Sequence, residues 1–203
     1  MKKKSTPISH VVNSYVDQGP KNIIKKVSPS QQGTIVKWAD GLSLKKTERV
    51  VTDHQDSILC MFFIENQYIA TGSKDKTINI YDMEGRKITT LRGHDASICS
   101  LSTIKTSPSN TYLASGSDHG CCCLILWDIR TWTICSRIQA HVAAVTSIVD
   151  LDDGEHLLTG SYDKKINLFN HRRGEVVSSY SNKSGVTCMV LTSDKQRVVS
   201  SGL

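Results

Sequence analysis

The fold is decided by residues 112–128, which read Tyr112-Leu-Ala-Ser-Gly-Ser-Asp-His-Gly-Cys-Cys-Cys-Leu-Ile-Leu-Trp-Asp128. An apolar run breaks at Gly116-Ser-Asp-His-Gly120, where glycine and small polar residues favour a tight turn, and a second apolar run ends in Trp-Asp. Similar stretches occupy residues 68–82 and 157–170, and residues 71–82 match residues 159–170 at seven of twelve positions. A repeated strand–turn–strand unit therefore organises the chain.

The repeats follow one another at a characteristic spacing. Their aligned starts, His54, His94, His141 and Asn182, are 40, 47 and 41 residues apart. Each unit contains short apolar runs separated by turn residues, and no stretch shows a sustained period of 3.6 residues. Four strands in roughly 40–45 residues is typical of a propeller blade, so we predict an all-β fold of four-stranded antiparallel sheets, a β-propeller.

Composition and cysteine usage narrow the class of protein. Hydrophobic residues make up 38% of the 203 residues and charged residues 22%, an ordinary globular balance. The basic N-terminus lacks the apolar stretch of a secretory signal, and no apolar run is long enough to span a membrane. Seven cysteines without a Cys-x-x-Cys pair indicate neither a disulfide framework nor a zinc site. We therefore expect a cytoplasmic or nuclear protein without membrane association.

Two clusters could be taken for reactive sites. His94, Ser115 and Asp118 suggest a catalytic triad, but similar residues recur in every repeat, which a single active site would not require. Cys121–Cys123 could bind a metal ion or supply a reactive thiol. Adjacent strand residues point to opposite faces, however, so three in a row converge poorly on one ion. We therefore predict a protein that is not an enzyme, with no catalytic residue, cofactor or metal ligand.

Positive charge is concentrated near the N-terminus. Residues 1–49 hold ten Lys/Arg and three Asp/Glu, whereas residues 50–203 hold fifteen and sixteen. Such a basic segment could contact RNA, although no aromatic stacking platform accompanies it. A solvated tail and a nuclear-import patch are the alternatives.

The motifs Gly93-His94, Ser115-Gly-Ser-Asp118 and Trp127-Asp128 recur in weaker copies, and with them the chain resembles the WD-repeat (WD40-type) β-propeller family over about residues 34–203. The resemblance implies that each blade carries a hydrogen-bonded structural tetrad of His, Ser/Thr, Asp and Trp. The implied positions are His54, Thr71, Asp75 and Tyr81; His94, Ser115, Asp118 and Trp127; and His141, Thr159 and Asp163, with Phe169 in the Trp position.

Two of these sets depart from the family pattern. Phe169 cannot donate a hydrogen bond. In the middle set His119 stands where the other repeats have Asp, and Asp118 comes one residue earlier.

The resemblance implies a non-catalytic scaffold that binds other proteins through the propeller faces. The residue before the turn Asp lies on the upper face in this family, which points to Lys74 and Tyr162; Asp56, just before a first strand, is a third candidate. The alternative is a ribonucleoprotein or ribosome-assembly factor that contacts RNA through its basic N-terminus.

We divide the chain into a basic flexible tail, residues 1–9, and a WD-repeat region, residues 10–203. The region comprises a blade at 10–51, blades at 54–91, 94–139 and 141–180, and a half blade at 182–203. This is fewer blades than the family usually has. We therefore expect a piece of a longer propeller or a chain that self-associates.

Overall fold

The computed structural model describes residues 34–37, 47–50, 53–107, 110–118 and 124–202, with only the backbone for the first two segments. Residues 1–33, which contain the tail and the first part of the predicted blade at 10–51, lie outside the described residues, as do His119 and Cys121–Cys123. The predicted blade at 10–51 therefore stays a prediction.

The described residues form sixteen β-strands and no helix. The strands are β1 Thr34–Lys37, β2 Thr47–Val50, β3 Ile58–Ile64, β4 Tyr68–Ser73, β5 Thr77–Asp82, β6 Lys87–Arg92, β7 Ile98–Ser107, β8 Asn110–Ser117, β9 Leu124–Asp128, β10 Thr133–Ile138, β11 Val145–Asp150, β12 His156–Ser161, β13 Lys165–Asn170, β14 Glu175–Ser181, β15 Val186–Leu191 and β16 Val198–Gly202.

Consecutive strands pair antiparallel within five separate sheets. Strands β3–β6, β7–β10 and β11–β14 form three four-stranded sheets, which we call the second, third and fourth blades. Strands β1–β2 and β15–β16 form two-stranded sheets. The predicted all-β fold of four-stranded antiparallel blades is confirmed.

The central strands β5 and β9 are buried on both faces, and the third and fourth blades each pack between two neighbouring sheets. In β5, Ile78 and Ile80 join a core cluster with Ile98 of the third blade, whereas Tyr81 packs with Ile69 in a separate cluster. This two-sided burial explains the continuous apolar run of β9, which reads Leu-Ile-Leu-Trp before its final Asp128.

The hydrophobic core lies between the blades in three layers. Trp127 and Ile125 lie in the layer between the second and third blades, and Leu124 and Phe169 in the layer between the third and fourth. Val186 packs with Leu158 between the fourth blade and the β15–β16 pair. Each blade therefore depends on its neighbours for burial of its apolar faces.

Strand β8 runs through Gly116 and ends at Ser117, so the predicted break at Gly116 was placed two residues too early. The physical reason is close packing between blades. A Cβ atom at Gly116 would lie 2.8 Å from the Cβ of Val145 in the next blade, and one at Gly72 would lie 2.6 Å from Ile98 Cγ2. Glycine is needed at these two positions because side chains of the next blade approach the strand backbone closely, and not because the chain turns there.

Trp132 lies outside the repeated motifs and closes the β9–β10 turn. Its N–H donates to the Asp128 carbonyl at 2.7 Å. Its ring is half-buried and meets Tyr68 of the second blade edge-on, with ring centroids 5.3 Å apart. The side chain therefore links two blades.

Candidate functional site

In the second blade, the buried His54 ring joins a strand to a turn. Its Nε2 lies 2.8 Å from Thr71 Oγ1 in the middle of β4. Its Nδ1 lies 2.8 Å from Asp75 Oδ2 in the β4–β5 turn. The imidazole therefore has a partner on each nitrogen, which offsets the cost of burying it.

The carboxylate of Asp75 is held by several donors. It accepts hydrogen bonds from the backbone N–H of Gln55 at 2.8 Å and of Thr77 at 2.9 Å. Burial alone would raise the pKa of Asp75, but hydrogen bonds from Thr77, Gln55 and His54 outweigh burial and lower it to about 2. The Asp75 carboxylate is therefore charged at neutral pH.

Tyr81 lies in the predicted Trp position and is buried. Its hydroxyl has no partner of normal hydrogen-bond geometry among the described residues. Burial and the nearby Asp53 carboxylate raise the pKa of Tyr81 to about 12. The second blade therefore joins three of its four predicted tetrad residues through hydrogen bonds.

In the third blade, Ser115 is the shared partner. His94 Nε2 lies 2.7 Å from Ser115 Oγ, and Trp127 Nε1 donates to the same oxygen at 2.8 Å. The Asp118 N–H donates to the Ser97 carbonyl at 2.8 Å, while the turn after it lies outside the described residues. A role for Asp118 beside His94 stays a prediction.

In the fourth blade, His141 Nε2 lies 2.9 Å from Thr159 Oγ1 and Nδ1 lies 3.0 Å from Asp163 Oδ2. Burial would raise the pKa of Asp163, but hydrogen bonds from the Val142 N–H and His141 lower it below its ordinary value. Phe169 is fully buried in the Trp position and contributes packing alone.

The hydroxyls of Thr71, Ser115 and Thr159 belong to buried side chains that are shielded from solvent. In the second and fourth blades the histidine contacts fix the turn between the second and third strands against the segment that precedes the first strand.

Backbone hydrogen bonds repeat the same connection. The N–H of Lys74 donates to the Ser57 carbonyl at 2.9 Å, and the N–H of Tyr162 donates to the Ala144 carbonyl at 3.1 Å. The resulting rim is formed by segments of three consecutive blades, and we call it the turn edge. It comprises residues 54–57, 73–76, 94–97, 117–118, 141–144 and 161–164.

The three predicted partner-binding residues all lie on the turn edge and are exposed. Lys74 and Asp56 belong to the two segments joined in the second blade. Tyr162, 38% exposed, lies two blades further along the chain. Sequence reasoning missed Val142, which is 83% exposed; the available signal was an apolar residue directly after His141, where the other blades have Gln55 and Asp95.

Within the part of the chain that the structure describes, no group of three or more His, Cys, Asp or Glu side chains is placed to hold a metal ion. No helix there has the length and apolar character required to cross a membrane.

Stacked four-stranded blades with recurring His–Ser/Thr–Asp contacts define the class of β-propellers built from WD repeats. The family model described as "WD domain, G-beta repeat" matches residues 45–82, 85–128 and 132–170. The chain belongs to this family.

Three curated relatives of the chain carry names that refer to different cellular roles. The chain is 37% identical over 106 residues to a p21-activated protein kinase-interacting protein 1-like protein of Danio rerio, covering 52% of this chain and 27% of the relative. It is 26% identical over 168 residues to a ribosome biogenesis protein WDR12 homolog of Drosophila persimilis, covering 77% and 40%. It is 28% identical over 172 residues to the COMPASS component SWD3 of Saccharomyces cerevisiae, covering 79% and 52%. The chain thus spans between about a quarter and a half of the length of these relatives.

Proposed function

We propose that this protein is a non-catalytic scaffold that binds other proteins through the turn edge. The observation that carries the proposal is the exposure of Lys74, Asp56, Val142 and Tyr162 on turns that the buried His contacts hold rigid. Recognition residues placed on loops over a rigid sheet framework are a common arrangement in binding proteins.

The chemistry of the turn edge suits a protein partner. Tyrosine supplies a large apolar surface with a polar tip, and such residues often dominate protein interfaces. Lys74 and Asp56 offer opposite charges at neighbouring positions, which can fix the orientation of a partner. One relative is named as a kinase-interacting protein and another as a COMPASS component, and these names support a role within a multiprotein complex.

The proposal is tested with the double variant Lys74→Glu, Tyr162→Ala. We expect the full-length variant to lose proteins that co-purify with the wild type, with affinities for isolated partners reduced at least about tenfold, since interface anchors cost more than about 1 kcal/mol when truncated. Binding is measured by quantitative co-purification and then by titration calorimetry.

The matched control is Arg172→Glu, Phe63→Ala, which changes an exposed basic and an exposed aromatic side chain at the ends of the blades opposite the turn edge. It should retain the partners. Equal retention by both double variants would contradict the proposal.

A ribosome-assembly role is the second candidate, favoured by the WDR12 homolog, which aligns with 77% of the chain, and by the basic first 49 residues. Phosphate contacts by lysines make RNA affinity fall steeply with salt. We expect the full-length protein to bind RNA with a salt dependence that deletion of residues 1–30 abolishes. RNA binding that is unchanged by the deletion, or absent at low salt, would contradict this second function.

A further inference from the structure

Cations are paired at one end of the fourth blade and unpaired at the other. In the β13–β14 turn, opposite the turn edge, Arg172 Nη1 lies 3.5 Å from Glu155 Oε1 and Arg173 Nη1 lies 3.6 Å from Glu175 Oε1. At the turn-edge end, three exposed lysines have no carboxylate at ion-pair distance among the described residues. They are Lys164, Lys165 and Lys183.

The carboxylate closest to these lysines in sequence is engaged elsewhere. Asp163 lies in the β12–β13 turn beside Lys164, but it accepts hydrogen bonds from the backbone N–H of Val142 at 3.2 Å and of Lys165 at 3.0 Å. Its Oδ2 also lies 3.0 Å from Nδ1 of the buried His141 ring. The contact that holds the turn therefore leaves the lysine side chains without a counter-ion.

Backbone contacts bring the three lysines together. The Asn182 N–H donates to the Lys164 carbonyl at 2.7 Å, which places Lys183 next to the β12–β13 turn. Lys165 pairs with Ser181 across strands β13 and β14. The three positive charges therefore lie on one small area of the surface.

Two exposed apolar side chains lie among the lysines. Tyr162 is 38% exposed, and its side chain packs beside Gly185, where an added Cβ would lie 3.2 Å from Tyr162 Cδ1. Its N–H donates to the carbonyl of Ala144, two residues after Val142, which is 83% exposed. We call this group the lysine–tyrosine cluster: Val142, Tyr162, Lys164, Lys165 and Lys183.

The lysine–tyrosine cluster occupies only part of the turn edge. The residues that directly follow His54, His94, His141 and Asn182 are Gln55, Asp95, Val142 and Lys183. The third blade therefore carries an acid at this position, and its turn adds Asp118. An acidic ligand is attracted to the fourth blade and disfavoured beside the third, so the charges set the position of the ligand along the turn edge.

The chemistry of the cluster favours an acidic protein segment over a nucleic acid. Ammonium groups attract carboxylates and phosphates alike. Sites for single-stranded nucleic acid stack successive bases on several aromatic rings, whereas this cluster has one ring and the aliphatic Val142. Burial of Val142 by another aliphatic side chain is favourable, and proteins supply such side chains.

We propose that the lysine–tyrosine cluster binds an acidic segment of a partner protein that carries an aliphatic side chain between its carboxylates. The carboxylates face the three lysines, and the aliphatic side chain packs on Val142 beside the Tyr162 ring. Each exposed ion pair contributes little by itself, so the charges and the apolar contact act together. The inference rests on the proposed function, because it names the chemistry of the partner at the same turn edge.

The test uses the full-length protein and a short fluorescent peptide in which one leucine is flanked by glutamates. Fluorescence anisotropy should show saturable binding with a dissociation constant of about 0.1–1 mM. The affinity should fall as the salt concentration is raised from about 0.05 M to about 0.5 M. The counterpart with glutamine in place of every glutamate keeps the shape without the charge and should bind at least about tenfold more weakly.

Two charge variants locate the site. Lys164→Gln, Lys183→Gln removes two cations of the lysine–tyrosine cluster and should weaken peptide binding at least about fivefold. Arg172→Gln, Arg173→Gln removes two cations from the opposite end of the same blade and should leave the affinity unchanged. Both variants have the same net charge, so a difference between them reports the position of the charges.

A further comparison tests the apolar contact. Val142→Ser should weaken binding of the leucine peptide but not of a counterpart with serine in place of the leucine, because that counterpart has no aliphatic side chain to pack on Val142. The four affinities form a double-mutant cycle that isolates this contact.

Four outcomes with the peptides would overturn the inference: no saturable binding up to about 5 mM peptide; equal binding of the glutamine counterpart; equal affinities of the two charge variants; or no coupling between Val142 and the peptide leucine. Tighter binding of a single-stranded oligouridylate that Lys164→Gln, Lys183→Gln abolishes would also overturn it, because the cluster would then serve RNA. The glutamate and glutamine peptides are compared on the unmodified protein, so that result does not depend on the folding of a variant.

The outcome is separable from that of the proposed function. Failure of the peptide to bind, together with loss of partners in the Lys74→Glu, Tyr162→Ala variant, would exclude the acidic segment and leave the proposed function in place. Retention of partners by that variant would contradict the proposed function whatever the peptide does.

Discussion

At the scale of single residues, the buried histidines and their partners decide how each turn is held. His54 and His141 each contact a threonine through Nε2 and an aspartate through Nδ1. The third blade differs because Trp127 Nε1 and His94 share Ser115 Oγ. The three blades therefore use related but unequal hydrogen-bond sets.

The depressed pKa of Asp75 makes a prediction about pH. The pKa of the Asp75 carboxyl is about 2 in the folded protein against an ordinary 3.8. The charged carboxylate therefore stabilises the folded state at pH values above 3.8. That stabilisation disappears as the pH falls from 3.8 through 2. We expect Asp75→Asn to lower the melting temperature at pH 6 and the difference from wild type to shrink towards pH 2.

Thermal melting between pH 6 and pH 2 measures this difference. Glu84→Gln removes an exposed carboxylate from a surface turn and serves as the control, with a small effect at every pH because exposed ion pairs contribute little. A pH-independent gap between Asp75→Asn and wild type would contradict the assigned cause.

At the scale of strands and blades, hydrogen bonds tie the first strands of neighbouring blades together. Ser100 Oγ of β7 donates to the Val145 carbonyl of β11 at 2.7 Å. Cys60 occupies the position in β3 that Ser100 occupies in β7, and its Sγ lies 3.6 Å from the Ile98 carbonyl oxygen of the next blade. Burial raises the pKa of the Cys60 thiol, which keeps it protonated and able to donate.

The contact between Gly116 and Val145 gives a prediction about blade packing. We expect Gly116→Ala to destabilise the protein by roughly 1–3 kcal/mol, since an added methyl overpacks a filled core. Val145→Ala removes Cγ1, one of the three atoms that the new Cβ would meet, and keeps the Val145 Cβ and Ser100 Oγ. In that background the cost of Gly116→Ala should fall in part.

Urea unfolding of the wild type, both single variants and the double variant gives the coupling energy of this pair. Additive free-energy changes within about 0.5 kcal/mol would show that Gly116 is not held by contact with Val145.

At the scale of the whole molecule, one sheet face stands out by its exposure. On the β15–β16 pair, Val190 is 51% exposed and Val199 is 58% exposed. They lie with Cys188 around a shallow depression. Cys60, at the equivalent position in the second blade, contacts the next blade instead.

We predict that the 203-residue chain self-associates in solution through this face, because burying large apolar side chains is favourable. The double variant Val190→Thr, Val199→Thr should be more monomeric by light scattering. The matched control, Val176→Thr, Val177→Thr, changes two exposed valines of β14 and should associate like the wild type. A monodisperse wild-type monomer would contradict the prediction.

The sequence by itself determined the all-β class, the repeat period and the antiparallel order of the blade strands, because these follow from local apolar runs and turn residues. It also supplied the residue types of the buried sets at a regular spacing, whereas Val142 offered only a weak signal. Only the tertiary structure decided that Gly116 lies inside a strand and that Ser100 bonds the next blade. These features depend on which side chains face each other across strands and between blades, and no local pattern encodes that register.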